Sequence, residues 1–286
     1  MLTTVTGGSQ DLTARFIAPR LGEALGEQVL VDNRGGIISM EVAAKAPPDG
    51  HTLLLASGSL WLSQFLRSGV TWDVRRDYAP VVLAATLPNI IAVHPSLPVR
   101  SMRELIALSR SRAGELNYSS GQAGSSSHLA GELFKSMAKV NLVRVPYKGA
   151  GPAMLSLITG EAQVSFPNTA AAMPNVQSGK IRALAVTTAQ PSVLAPGLPT
   201  AAASGLPGYE SKAMLAIFAP AKTPETIVNR LNQEIVRILA NPDVKRRMLD
   251  SGAEPAGGSP AELAEAIRID VATTGKLIRE TGIRAE

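Results

Sequence analysis

The chain has 286 residues, 45% of them hydrophobic, enough to bury one large core or two smaller ones, with two lobes the better expectation at this length. Its 28 Lys and Arg against 23 Asp and Glu are spread along the sequence and only 4% of residues are aromatic, so the stacking-plus-phosphate pattern of nucleic-acid binders is missing. Cysteine is absent, which excludes disulfides, thiolate metal sites and cysteine nucleophiles, and the longest apolar runs, such as Leu53 to Ala56 and Ile90 to Val93, fall far short of the about eighteen residues of a membrane span.

The first residues, MLTTVTGG, carry neither a basic n-region nor an apolar h-region. Read alone, they belong to a cytoplasmic protein or to one written without its leader. Beyond them, short apolar runs alternate with amphipathic segments. In chain order the spacing predicts strands over Val29 to Asp32, Thr52 to Ala56, Val81 to Ala85, Ile90 to His94, Leu142 to Val145, Ala162 to Phe166, Ile181 to Thr187 and Met214 to Ala219. Such alternation implies an α/β fold with parallel sheets covered by helices.

Helix starts carry their own chemistry. Ser101-Met-Arg-Glu104 and Ser259-Pro-Ala-Glu262 read as capping boxes, in which a hydroxyl and a carboxylate satisfy orphan amide protons reciprocally. Thr223-Pro224 and Asn241-Pro242 place proline at an expected first helical position, where its missing N–H costs nothing. After Pro224, Ile227, Val228, Leu231, Ile235, Ile238 and Leu239 recur at helical spacing as one core-facing stripe. Proline and glycine concentrate around His94 to Pro98 and across Ala195 to Gly208, and these are expected to be the two segments crossing between lobes.

Two loops share a composition and a position. Thr6, Gly7, Gly8, Ser9, Gln10 and Asp11 precede the helical pattern of Leu12, Phe16, Ile17, Leu21 and Leu25. Ser119 to Ser127, which includes Ser120, Gly121, Ser125 and Ser126, precedes His128, Leu129, Leu133 and Phe134. Each is a hydroxyl- and glycine-rich helix N-terminus, where unpaired amides and the peptide dipoles hold a carboxylate or phosphate without Arg or Lys. An ordinary glycine turn with a serine cap has the same composition; one such loop in each lobe favours a clamp for a small anion. Further candidates at strand ends are Ser57 and Ser59, Tyr147 and the Gly149 amide in VPYKGAGP, and Asn168 after AQVSFP.

An enzyme reading would use Ser126 or Ser127 as nucleophile with His128 as base, but triad groups usually meet through the fold and not through adjacency in sequence. The chain has no G-x-S-x-G elbow, Walker A sequence, H-E-x-x-H or calcium loop. Only His51, His94 and His128 could serve a histidine-based metal or base site.

The segments ARFIAPRLGEALGEQVLVDNR, APPDGHTLLLAS, NYSSGQAGSSSHLAGELFKSMA, VRVPYKGAGPAM, SGKIRALAVTT and LPGYE, in that order, resemble the Bug family of bacterial solute-binding proteins, receptors of tripartite tricarboxylate transporters. The resemblance runs from about Gly7 to the last helix. It implies a periplasmic protein of the type II periplasmic-binding-protein fold, with two lobes, parallel-rich sheets and an interlobe cleft that closes on a small carboxylate. By position it assigns the carboxylate grip to Thr6 to Asp11 and Ser119 to His128. It also implies a monomer with no cofactor and no metal, whose partners are membrane transporter subunits or a sensor domain. The family's first strand is expected to be mostly absent, with Thr4 where the family has a Phe, and Gly35-Gly36-Ile37-Ile38-Ser39 is shorter than the family's loop. Phe166-Pro167-Asn168 stands where members commonly show Phe-Asp-Asn, so an acid that could pair with a ligand amine is replaced.

The expectation is therefore an extracytoplasmic receptor for a di- or tricarboxylate, aromatic carboxylate or amino acid, with residues 1–93 and 217–286 as lobe I and 94–216 as lobe II. A Ser/His hydrolase or transferase and a folded relative that no longer binds remain the alternatives.

Overall fold

Alternating strand and helix patterns build two sheets with packed helices in a computed structural model that describes residues 1–3, 6–35 and 37–284. Expectations that fall on Thr4, on Gly36 and on the chain end at Glu286 lie outside the described residues.

The chain begins with β1 (Leu2–Thr3), α1 (Ser9–Leu25), β2 (Asp32–Asn33), α2 (Ile38–Lys45), β3 (Leu54–Ser57), α3 (Ser59–Leu66), α4 (Val74–Asp77) and β4 (Tyr78–Pro88). It continues through β5 (Ile90–Val93), α5 (Met102–Ser111), β6 (Asn117–Ser120), α6 (Ser126–Ala138), β7 (Val143–Pro146), α7 (Ala150–Thr159), β8 (Val164–Ser165), α8 (Thr169–Gln177) and β9 (Arg182–Val186). It ends with β10 (Lys212–Pro220), α9 (Glu225–Ala240), α10 (Pro242–Asp250), β11 (Glu254–Gly257) and α11 (Pro260–Thr281).

Two compact units result, Met1–Thr86 with Met214–Lys276, and Leu87–Ala213 with the chain from Leu277. The expected boundaries at 93 and 216 are displaced because β5 pairs with β8 and β9 of the second unit, while β10 pairs with β3 of the first. The Pro/Gly-rich segments expected to cross between lobes instead fold within the second unit. Leu97 and Val99 are buried there and their carbonyls accept from Arg182 Nη1, while Ala195, Ala201 and Leu206 are core residues. The chain enters at Leu87 and leaves at Ala213, and both passages are tied to Thr187. Its hydroxyl accepts from the Asn89 amide at 3.1 Å, and its backbone exchanges bonds of 3.0 and 2.9 Å with Asn89 O and the Ser211 amide.

The sheets run β11-β4-β10-β3-β1-β2 and β7-β6-β8-β5-β9. Each contains a parallel trio with its first strand in the middle, β2-β1-β3 and β7-β6-β8, followed by an antiparallel strand, β10 in the first sheet and β5 in the second. The sheets are mixed, correcting the expectation of parallel sheets: β1 is parallel to β2 and β3, and β6 to β7 and β8, but β10 runs antiparallel to β3 and β5 antiparallel to β8 and β9. The first strand, expected to be mostly absent, is present as Leu2–Thr3 with Thr3 fully buried between its neighbours.

The Ser259 capping box forms, Glu262 accepting from the Ser259 amide while Ser259 Oγ accepts from the Glu262 amide; at Ser101 the serine caps the Glu104 amide, but the Glu104 carboxylate accepts from the Arg100 amide, one residue before the N-cap. Asn241 caps α10 with Pro242 at its first position, whereas Pro224 is the N-cap residue of α9 instead of its first helical residue. The α9 stripe buries Val228, Leu231, Ile235, Ile238 and Leu239.

In the second unit the core centres on stacked aromatics. Tyr118 meets Phe166 edge-on at 5.8 Å, and Phe134 meets Tyr209 at 6.5 Å. Helix α6 lies so close to β6 that a Cβ on Gly131 would stand 2.5 Å from the Tyr118 ring. Gly131→Ala should therefore cost about 1–3 kcal/mol through overpacking, whereas Gly151→Ala, at a helical position with open space around it, should be neutral or stabilise by up to about 1 kcal/mol. Urea unfolding of the two variants, compared with the parent protein, checks both signs.

Candidate functional site

Because β6, β7 and β8 are parallel and in register, they end at one edge of the second sheet, and each turns there into a helix. The helices α6, α7 and α8, of 13, 10 and 9 residues, thus start beside one another. Their first turns enclose a cavity of about 230 Å³. The β6–α6 loop supplies Gly121, Gln122, Ser125, Ser126 and Ser127; the β7–α7 turn supplies Lys148, Gly149 and Ala150, with Ala153 and Met154 one turn on. Ser165, Pro167 and Asn168 complete the lining from the end of β8.

The first amides of a helix have no intrahelical partner, and the aligned peptide dipoles place roughly half a positive charge at each N-terminus. Three such ends face this cavity, Lys148 is among its lining residues, and no Asp or Glu lines it. Gly149 precedes α7 without a side-chain cap, leaving the α7 amides open to a ligand, while Asn168 satisfies one α8 amide through its side chain, at 2.8 Å to Ala171 N. The arrangement favours an anion with flat, hydrogen-bond-accepting oxygens.

Bonds from behind fix the serine loop. Arg144, on β7 opposite Tyr118, donates from Nε to Ser120 Oγ and from Nη2 to Gly121 O, both at 2.8 Å. The Gly121 amide donates to Ser127 Oγ at 3.0 Å, and Ser125 Oγ accepts from the His128 amide. Gly124 takes φ +77°, a left-handed backbone that suits glycine, and its amide donates to His128 Nδ1 at 3.1 Å. That bond needs an unprotonated Nδ1. Burial, reinforced by the positive charge of Arg144, lowers the His128 pKa from 6.5 to about 4.

Of the residues expected from sequence in this unit, Gly121, Ser125, Ser126, Gly149 and Asn168 line the cavity, whereas Ser120, His128 and Tyr147 do not. Ser120 is fully buried beneath the loop. The Tyr147 hydroxyl is enclosed beside Ser156 and Glu161, and burial raises its pKa. Among the described residues no hydrogen bond joins the His128 imidazole to a serine hydroxyl, so the nucleophile–base pair of the enzyme reading is not assembled.

In the first unit, Thr6 to Gly8 lead from β1 into α1 with Gly8 as N-cap, and Ser57 and Ser59 lie where β3 turns into α3, their hydroxyls 3.1 Å apart. Ser9 is exposed at the start of α1, and Gln10 is buried in its first turn. Asp11 is only 2% exposed, and its carboxylate is used within the unit: Oδ2 accepts from the Gly7 amide, and Oδ1 from Arg15 Nε and Asn33 Nδ2. Burial alone would raise its pKa, but those three donors hold it below the usual carboxylate value. Asp11 therefore fixes the glycine loop.

Gln122 and Ser127 line the cavity from within the Ser119 to His128 loop assigned to the grip, whereas sequence reasoning missed Lys148 and Ser165 in the lining and Arg144 behind it. Lys148 was within reach of strand parity: the Tyr147 amide continues the β7 ladder to Ser120 O, so successive residues there face opposite sides, and one of Tyr147 and Lys148 had to face the cavity.

Residues 13–283 match the family model described as the tripartite tricarboxylate transporter family receptor. The chain is 38% identical over 283 residues to a protein encoded in the tcbD–tcbE intergenic region of Pseudomonas sp. strain P51, covering 98% of this chain and 84% of that one. Among solved structures it is similar to Rpa4515 of R. palustris with adipate, at 36% identity and a TM-score of 0.81, covering 99% and 97% of the two chains. MatC from Rhodopseudomonas palustris with bound malate is 27% identical with a TM-score of 0.76, covering 97% of each chain.

The depressed His128 pKa fixes a pH dependence. The unfolded state binds a proton at 6.5 that the folded state binds only near 4, so this residue's contribution is fully present above pH 6.5 and is lost as pH falls toward 4. Stability should rise with pH across that window, His128 adding a slope approaching about 1.4 kcal/mol per pH unit. In His128→Asn, whose side-chain oxygen can still accept from Gly124 N, urea titrations between pH 4 and 6.5 should show a flatter profile.

Proposed function

The chain belongs to the tripartite tricarboxylate transporter receptor family, and on that premise we propose that it captures a small organic carboxylate, carries out no chemistry on it, and delivers it to a membrane transporter or sensor. Proteins of this family are periplasmic receptors, and the reading places this one there too. The observation that carries the proposal is the cavity of the second unit, where the first turns of α6, α7 and α8, with Lys148 beside them, line about 230 Å³ with no acidic side chain. Rpa4515 and MatC, solved with adipate and malate, support a carboxylate as the guest.

The same lining argues against covalent catalysis. Attack by Ser126 would need a base to take its proton. His128, the nearest candidate in sequence, accepts from Gly124 through Nδ1 and has its basicity suppressed by burial.

A thermal-shift screen of mono-, di- and tricarboxylates, nicotinate and amino acids tests this. A ligand at 100 times its Kd adds about 2.7 kcal/mol, so at least one carboxylate should raise Tm by several degrees and be recovered unaltered. Turnover of an ester panel that disappears in Ser126→Ala and His128→Ala would overturn the proposal, as would silence across the screen in folded protein.

A further inference from the structure

We propose that Arg144 is a positioning residue for ligand binding: it turns the Gly121–Gln122 peptide so that the carbonyl leaves the cavity and the Gln122 N–H enters it as a donor to the guest carboxylate. The inference rests on the carboxylate-receptor reading and deepens it.

The peptides between β6 and α6 belong to no helix or strand, so either end of each could be turned to a ligand. An N–H aimed at an anion binds it, and a carbonyl in the same place repels it. The direction of one peptide therefore sets the sign of its contribution. Arg144 stands on β7 in register with Tyr118 of β6. Its Nη2 donates to Gly121 O and its Nε to Ser120 Oγ, both at 2.8 Å. Because the Ser120 oxygen accepts from the guanidinium, its own proton is left for the Gly121 carbonyl, 3.1 Å away. Gly121 O thus takes two donors, one direct and one relayed, and both depend on Arg144.

Neither donor belongs to a residue that lines the cavity, whereas Gly121 and Gln122 both line it. No peptide of the described chain is cis, and in a trans peptide the C=O and the following N–H point in opposite directions. A carbonyl drawn back to Arg144 and Ser120 sends the Gln122 N–H the other way. No acceptor among the described residues takes that N–H, while the nearby amides of Gly121 and Gly124 are committed to Ser127 Oγ and His128 Nδ1. A guanidinium beneath the loop would also attract an anion through space, so the experiment has to separate orientation from charge.

The dipeptide Gly-Gln occurs once in the chain, at positions 121 and 122. Protein labelled with carbonyl-¹³C glycine and ¹⁵N glutamine therefore gives one carbonyl–amide correlation by NMR, from this peptide alone. As adipate, glutarate or succinate is titrated into the parent protein, the Gln122 amide proton should move downfield along the same saturation curve as the heat of binding. In Arg144→Met the Gly121 carbonyl resonance of the free protein should move upfield, the Gln122 proton should stop responding, and Kd should rise at least about tenfold, the loss of one hydrogen bond to a charged group. Ser120→Ala removes only the relayed bond and should move the carbonyl resonance less, in the same direction; it decides the matter with the parent titration if Arg144→Met does not fold. In Arg144→Lys the affinity and the proton response should be kept or lost together. A Gln122 proton that stays still while the parent saturates, a carbonyl resonance unmoved in Ser120→Ala, undiminished binding in Arg144→Met, or affinity kept in Arg144→Lys without the proton response would overturn the assignment and leave the receptor reading intact. Absence of binding by every acid to the parent protein would overturn the receptor reading itself, and the inference with it.

Discussion

Three parallel strands that stop at the same edge and turn directly into helices are the constraint from which the rest of the site follows. Register makes β6, β7 and β8 end together, and chirality and short connections return each helix onto its sheet. Helix N-termini converge as a consequence, with their unpaired amides aimed at one small volume. No side chain has to be charged for that volume to attract an anion. Lys148 adds to a potential that the backbone has already made.

A backbone site is only as exact as the loop that carries it, and the serine loop is held from below. Arg144 binds Ser120 Oγ and Gly121 O, and neutral His128 receives the Gly124 amide. Burial depresses the histidine pKa, and the same effect keeps the bond to Gly124 intact at ordinary pH. The cluster around Tyr118, Glu132 and Lys135 supports the helix from its other side, with the Tyr118 hydroxyl donating to Glu132 at 2.5 Å. In the first unit Asp11 plays the corresponding part for its glycine loop, taking the Gly7 amide on one oxygen and Arg15 and Asn33 on the other. Residues in both loops that looked like ligand contacts are in this way the means of holding the contacts still.

Much of this was legible in the residues, and the failures have physical causes. The serine cap at Ser101, the capping box at Ser259 and the α9 stripe were readable because they are local. Strand β6 was not, because NYSS buries Ser119 and Ser120 completely and satisfies them through hydrogen bonds to Ala153 O, Ser165 Oγ and Gly121 O, leaving no apolar pattern to see. Strand β11, EPAG, carries a proline and a glycine and survives only as an edge. Proline and glycine also misled about the crossings: they mark turns inside the second unit, while the chain passes between units at the ends of the long regular strands β4 and β10. The choice of Tyr147 over Lys148 turned on which face of a strand end is covered, which is settled by packing against α7 and not by the sequence around it.

The central claim is that a carboxylate sits on the helix N-termini of the second unit. A crystal structure of the protein with glutarate or adipate tests it most directly. The account predicts carboxylate oxygens at about 2.7–3.1 Å from first-turn amides of α6 or α7 and no covalent bond to Ser126. A diacid bound away from these amides, or an acyl group on Ser126, would contradict it.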